Sequence, residues 1–293
     1  MTSILEIKDV SKQYNDFSLK KINITLEKGY VMGFIGPNGA GKSTTIKLIM
    51  NLIKKDSGKI NIFGFDNEKN EIKVKERIGF VYDENNFYEE LTIQEMKNIV
   101  KRFYKQWNED LFLFYLKEFS LPINKQIKDL SKGMKMKFSL AIALSHHAEL
   151  LIMDEPTSGL DPLVRKELID ILRSIMEDEN KAVFFSTHIT SDLEKIADYI
   201  TIIDNGEIIL SRPKDSLLEE YCIVKGSKDI LTPSIRTSLI GIEDNKYGFK
   251  ALYNKKTGNL KSLVNSLIFE KTTIEDILLF TTKRGENYKM SSI

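Results

Sequence analysis

The run Gly36-Pro37-Asn38-Gly39-Ala40-Gly41-Lys42-Ser43-Thr44 fits the pattern G-x-x-x-x-G-K-[ST] and directly follows an apolar, strand-like stretch, Val31 to Ile35. No other feature narrows the possible folds as far, because the pattern requires a strand in front of a tight glycine loop and a helix behind it. Glycines let the backbone curl so that successive N–H groups point inward, and the helix adds the positive end of its dipole. Such a cradle suits a nucleotide triphosphate, with Lys42 placed to reach the β- and γ-phosphates and Ser43 to ligate Mg²⁺. Taken alone, an ordinary glycine-rich turn is the alternative.

The surrounding pattern supports an α/β core. Residues 4–10, 22–26 and 59–63 alternate apolar and polar side chains between turn residues, which predicts a small antiparallel layer. The runs at 31–35, 150–153, 182–186 and 199–203 are mostly apolar, as expected of parallel strands covered on both faces. Residues 92–119 instead space their apolar positions helically (Ile93, Met96, Ile99, Val100, Phe103, Tyr104, Leu111, Phe114, Tyr115), and Pro122 closes the stretch. A helical insertion is predicted there, its aromatics serving as core. Beyond about residue 215, strand-like runs at Tyr221–Lys225 and Tyr247–Tyr253 alternate with turns at Asn245-Lys246 and Lys255–Gly258. Thr273 then opens a short helix with a capping-box pattern, and the polar tail Lys283–Ile293 is expected to fray.

Composition removes other classes. The 43 basic and 42 acidic residues leave a net charge of +1, with no electrostatic footprint for nucleic acid. Cys222 is the only cysteine, which excludes an internal disulfide and fits a reducing compartment. The start, Met1-Thr2-Ser3-Ile4-Leu5-Glu6, has no basic stretch followed by an apolar one. No apolar cluster approaches the ~20 residues that span a bilayer. The expectation is a cytoplasmic protein whose membrane role, if any, runs through a partner.

The second chemical signal is Leu150-Leu151-Ile152-Met153-Asp154-Glu155, an apolar strand ending in two carboxylates. Asp154 would stand at the strand's C-terminal edge beside the phosphate loop, where a Mg²⁺ partner belongs. Glu155, pointing differently, could accept a proton from water attacking the γ-phosphate.

Leu130-Ser131-Lys132-Gly133-Met134 lies just upstream of that strand and opens a helix. Together with Ser158-Gly159-Leu160-Asp161 and His188, it resembles the ATP-binding cassette (ABC) ATPase family over roughly residues 4–215. The resemblance implies a P-loop NTPase fold with a RecA-like core, an antiparallel β subdomain and a helical subdomain at about 85–147. Residues 1–215 would form this cassette, and 216–293 a small C-terminal αβ extension. It also implies ATP and Mg²⁺ as ligands, a homodimer enclosing two ATP molecules, and a separately encoded transmembrane permease at the inner face of the cell membrane. Each phosphate loop would face the other subunit's signature segment, here Ser131, Lys132, Gly133 and Met134. A serine and an N–H at a helix N-terminus suit a phosphate, although Ser131 alone is an ordinary helix cap. In the same resemblance Tyr14 stacks on adenine and His188 contacts the γ-phosphate, with Lys42 and Glu155 as catalytic partners. The segment Ser158 to Asp161 is the family's D-loop.

Two segments depart from the family pattern. Lys132 and Met134 replace a glycine and a glutamine of L-S-G-G-Q, and Asp83 stands where a Mg²⁺-sensing glutamine is frequent. Both departures resemble a branch of bacterial export cassettes of the bacitracin-resistance and antimicrobial-peptide-export type. An exporter of peptides, antibiotics or other amphipathic compounds is therefore expected. Two alternatives stay open: a soluble cassette protein acting on ribosomes or DNA, and a nucleotide switch with little hydrolysis. The single phosphate loop counts against the first and Glu155 against the second.

Overall fold

The computed structural model describes residues 3–82, 87–256, 260 and 266–282. Asp83, the end of the 255–258 turn and the tail 283–293 lie outside the described residues.

The alternating segments near the N-terminus form an antiparallel sheet of β1 (Ser3–Gln13), β2 (Ser18–Glu27), β4 (Ser57–Ile62) and β5 (Phe65–Asp66), in the order β2-β1-β4-β5. Their inward faces, including Leu5, Ile7, Ile22, Ile24 and Ile60, pack on one side of a second, six-stranded sheet. That sheet is ordered β10-β9-β3-β8-β7-β6, from β3 (Val31–Ile35), β6 (Ile78–Val81), β7 (Leu150–Asp154), β8 (Ala182–Thr187), β9 (Tyr199–Asp204) and β10 (Glu207–Pro213). All neighbours in it are parallel except β10 on β9. The period of two divides each central strand between two cores. Met32 and Phe34 face the antiparallel layer, while Val31 and Ile35 face the helices; Ile152 and Met153 split likewise, as do Phe184 and Phe185. Each fully buried side chain of this size contributes about 1.5–3 kcal/mol, so the layer sequence is strongly specified.

The strand β6 carries no clear pattern in the sequence because it is four residues long and contains Gly79. A Cβ there would stand 2.5 Å from Leu151 Cδ2 and 2.7 Å from Ala143 Cβ, so the glycine permits close approach of a helix to the sheet. That helix is α5 (Lys132–Ser145), and the other helices around the core are α1 (Lys42–Ile49), α2 (Glu71–Lys75), α3 (Ile93–Val100), α4 (Glu109–Glu118), α6 (Pro162–Ile175), α7 (Thr190–Ile196) and α8 (Lys214–Glu220).

The helical stretch expected over 92–119 is not continuous. A capping box of Thr92 and Glu95 starts α3, a 3₁₀ turn at Lys101–Phe103 follows, and Asn108 starts α4 by accepting the Leu111 N–H. Asn108 favours a cap over a helix interior because its side chain competes for backbone donors. The buried face also differs: Phe112, Leu116 and Phe119 enter the core, whereas Phe103 and Phe114 of the predicted face are exposed.

After α8 the chain forms a third, antiparallel sheet, β12-β13-β11-β14, from β11 (Tyr221–Gly226), β12 (Ile240–Asn245), β13 (Gly248–Asn254) and β14 (Ile268–Lys271), with α9 (Pro233–Thr237) and α10 (Ile274–Thr281). Thr273 and Asp276 form the expected capping box of α10. Ile223, Leu252, Ile274, Ile277 and Phe280 join the same core as the central sheet, so this sheet packs directly onto the helical side of the six-stranded sheet. Its other face buries Cys222, Val224, Phe249, Ala251 and Tyr253.

Candidate functional site

Three adjacent parallel strands end together. In the ladders Ile35 pairs with Thr187, and Asp154 with Ser186. Their continuations are the glycine loop, the pair Asp154-Glu155, and His188, so sheet order alone assembles segments separated by more than a hundred residues. This edge is the usual ligand crevice of a parallel sheet.

The glycine loop has little freedom to vary. A Cβ on Gly36 would fall 2.1 Å from the Ile203 carbonyl oxygen. Gly41 takes φ +114°, and a Cβ there would collide with Leu19 Cδ2 at 2.6 Å. Gly41 is the N-cap of α1 and supplies no side chain to cap its first turn, which contains no acidic residue. The amides there are left for an external anion.

Lys42 is buried, and its Nζ donates to the carbonyls of Gly36 at 2.8 Å and Pro37 at 3.3 Å. It also lies 3.4 Å from Glu155 Oε1. The other oxygen, Oε2, accepts the His188 N–H at 3.1 Å and faces His188 Nδ1 at 2.7 Å. Glu155 therefore bridges a cation and an imidazole. Its φ of +49° is a left-handed conformation that costs a side-chain-bearing residue about 1–2 kcal/mol. Ser186 holds it there, its carbonyl accepting the Glu155 N–H at 3.0 Å and its Oγ lying 3.3 Å from the same nitrogen. That Oγ also donates to Asp154 Oδ1 at 2.6 Å. Strain at a site of this kind is maintained only when the surroundings over-determine it. Burial, and then the charge of Asp154, push the nearby Tyr82 hydroxyl above its ordinary range.

These groups border a cleft of about 790 Å³ lined by Asp16, Phe17, Asn38, Gly39, Gly41, Lys42, Ser43, Thr44, Glu155, Ser158, His188 and Asn205. Asp154 is not among the lining residues; it is linked to them through Ser186, which donates to it and accepts the N–H of Glu155. Tyr14 is not among the lining residues: it is 40 % exposed, with Lys12 Nζ 5.7 Å from its ring centroid, and Phe17 takes the wall position. Sequence reasoning missed Asp16, Phe17, Asn205 and Ser186. Only Ser186, a hydroxyl inside an otherwise apolar run two residues before His188, carried a readable signal.

The segment Ser131 to Met134 does not line this cleft. Ser131 caps α5, accepting the Met134 N–H at 3.2 Å. Gly133 is buried, and a Cβ on it would meet Val164 Cγ1 at 2.8 Å. Lys132 Nζ would stand 3.3 Å from a Cβ placed on Gly159, which joins the start of α5 to the loop Ser158 to Asp161. Asp161 caps α6 by accepting the N–H groups of Leu163 and Val164, both at 3.0 Å. Asp83 lies outside the described residues.

Comparison with known proteins agrees with this geometry. The family model described as ABC transporter matches residues 19–158. The bacitracin transport ATP-binding protein of Bacillus licheniformis is 36 % identical over 220 residues, covering 74 % of this chain and 72 % of that protein. A lantibiotic transport ATP-binding protein of Streptococcus pyogenes is 35 % identical over 215 residues, covering 72 % and 92 %. A solved ATP-binding subunit of an ABC transporter superposes with a TM-score of 0.68 at 30 % identity, over 74 % of this chain and 92 % of its own. Among the described residues no helix is long and apolar enough to cross a membrane. The chain belongs to the ABC transporter family, as one of its ATP-binding, ATP-hydrolysing subunits.

Proposed function

We propose that two copies of this chain close around two ATP–Mg²⁺ and drive a separately encoded membrane permease that exports peptides, antibiotics or other amphipathic compounds. The observation that carries the catalytic part is the continuous contact from Lys42 through Glu155 to His188 on the wall of one cleft. The export part rests on the transport proteins for bacitracin and a lantibiotic to which the chain is similar. Dimerisation is supported by the position of the second anion-binding segment, since Ser131 to Met134 lies off the cleft that Lys42 lines. A second copy would supply it by two-fold symmetry.

Mg²⁺ suits the donors present, a serine hydroxyl lining the cleft and the carboxylate that ends β7, both hard oxygen ligands. Ser43 and Asp154 would hold it, and when bound it supplies charge neutralisation at the β- and γ-phosphates. The α1 amides and Lys42 bind the triphosphate. Lys42 then exchanges its contacts to Gly36, Pro37 and Glu155 for phosphate oxygens, which releases one oxygen of Glu155. Held at its unusual φ by Ser186, Glu155 takes the proton from the attacking water, and His188 keeps the carboxylate oriented while reaching the γ-phosphate. Tyr14 supplies stacking for adenine on reorientation toward the cleft. Ser158 to Asp161 connects the two halves of the site.

Glu155→Gln tests this reading. Turnover should fall by about 10²–10⁴ while ATP binding persists and the dimer accumulates in size-exclusion chromatography with ATP and Mg²⁺. Normal phosphate release by the variant would remove Glu155 as the base. Copurification of the native chain with ribosomes or DNA, rather than with a multi-span membrane protein, would overturn the transport assignment.

A further inference from the structure

Asp192 is fully buried on the first turn of α7, and neither of its carboxylate oxygens has a hydrogen-bond partner among the described residues. The cation it faces is Arg165, on α6, whose Nε lies 3.8 Å from Asp192 Oδ2 and is likewise without a hydrogen-bond partner. Asp192 is thus a fully buried carboxylate with no hydrogen bond among the described residues, facing a guanidinium that is 28 % exposed but whose Nε is buried, an unfavourable arrangement for the carboxylate. Their places in the chain give the expense a purpose. Arg165 follows Asp161 by one helical turn and donates its backbone N–H to the Asp161 carbonyl at 3.0 Å. Asp192 follows His188 by the same interval. The two helices share a core of Leu168, Leu172, Leu193 and Ile196 and are tied farther along by Arg173 donating to the Lys195 carbonyl at 3.0 Å. Thr157, between Glu155 and Ser158, is also fully buried, and its hydroxyl has no hydrogen-bond partner among the described residues.

We infer that Arg165 and Asp192 are positioning residues: their ion pair couples the loop Ser158 to Asp161 to His188, and through His188 to Glu155. A shift of under one ångström would turn the 3.8 Å contact into a charge-assisted hydrogen bond. Movement of the Ser158 loop against nucleotide would then set the orientation of His188. Neither residue touches the nucleotide cleft, so the pair acts on the rate and leaves affinity alone.

The test is steady-state ATP hydrolysis by the full chain, with ATP affinity measured separately by a fluorescent analogue. Asp192→Asn and Arg165→Gln should each lower kcat about tenfold with KM within about twofold of the native value. Combined, they should lose little more than either alone. Arg165→Lys, which keeps the cation, should retain most of the rate. If a single variant fails to fold, Arg165→Met with Asp192→Leu replaces the pair by apolar groups and removes its desolvation cost. A low kcat with normal ATP affinity in this folded double variant supports coupling. A native kcat in any folded variant lacking the pair, or additive losses in Asp192→Asn with Arg165→Gln, overturns it. Failure of the pair leaves Glu155→Gln as an independent test of the chemistry.

Discussion

In the proposed function the cleft around Lys42 and the start of α5 both meet phosphate, yet they are finished to different degrees. The groups proposed for catalysis and metal binding at the cleft already have internal partners: Lys42 has two carbonyls and Glu155, Glu155 has His188, and Asp154 has Ser186. At α5 the exposed Ser131 only caps its own helix, while the buried Gly133 fixes that helix against Val164. Prepaired groups hold geometry before nucleotide arrives and exchange partners when it does. An exposed helix start has no such rehearsal and depends on what is brought to it. One region is thus preorganised within the chain, and the other, in the proposed dimer, acquires its role by contact with a second copy.

Substitutions at the two regions should separate accordingly. The largest effect is expected from Gly36→Ala, because its Cβ would lie 2.1 Å from a backbone oxygen that cannot rotate away. Displacing the loop by that contact should weaken ATP binding about a hundredfold, as read by equilibrium binding to the isolated chain. Unchanged affinity would mean that the cleft is not preorganised. Ser131→Ala should leave ATP affinity nearly untouched but cut kcat about tenfold. Loss of the cap should also lower stability by about 1 kcal/mol. A loss of ATP affinity equal to that of Gly36→Ala would erase the contrast between the regions.

The smallest effect concerns the far end of the same helix. His146 terminates α5 with its ring nitrogens on the carbonyls of Ile142 at 2.9 Å and Ile78 at 3.0 Å, and Tyr104 stacks on it at 3.7 Å. Burial holds its pKa below the ordinary histidine value, despite the two carbonyls that favour the cation. The unfolded chain therefore binds a proton at higher pH than the folded chain does. Stability should be full above about pH 6.5 and decline as pH falls below it. Thermal melts between pH 7.5 and 5 should show this, and His146→Phe should flatten the dependence. If the native curve is already flat, α5 is not anchored at that end through a neutral imidazole.

Much of the fold was legible because its central strands are buried on both faces and so read as uninterrupted apolar runs; β3, β7, β8 and β9 all follow this rule. The short strand β6 and the exposed β10 escaped notice because one has few residues and the other little burial. Helical spacing across 92–119 hid the break before Asn108, since periodicity averages over a cap that a single polar side chain decides. At the site, Asp154, Glu155 and His188 were legible because each ends or directly follows an apolar strand, and Lys42 because it closes the glycine-loop pattern. Phe17 was not, because its place on the wall depends on how the first hairpin folds over the loop.

By itself the sequence determined the local elements of this protein: a strand leading into a phosphate-binding loop, strands ending in carboxylates or a histidine, and serines and threonines that start helices. These are short-range consequences of side-chain alternation, glycine conformational freedom and helix capping. Only the tertiary structure decided which groups meet. The order of strands in one sheet brought Glu155 between Lys42 and His188, and the packing of α6 on α7 placed Arg165 opposite a buried Asp192. Such encounters join residues distant along the chain, and no local preference encodes them, because they follow from the way whole apolar faces are buried together.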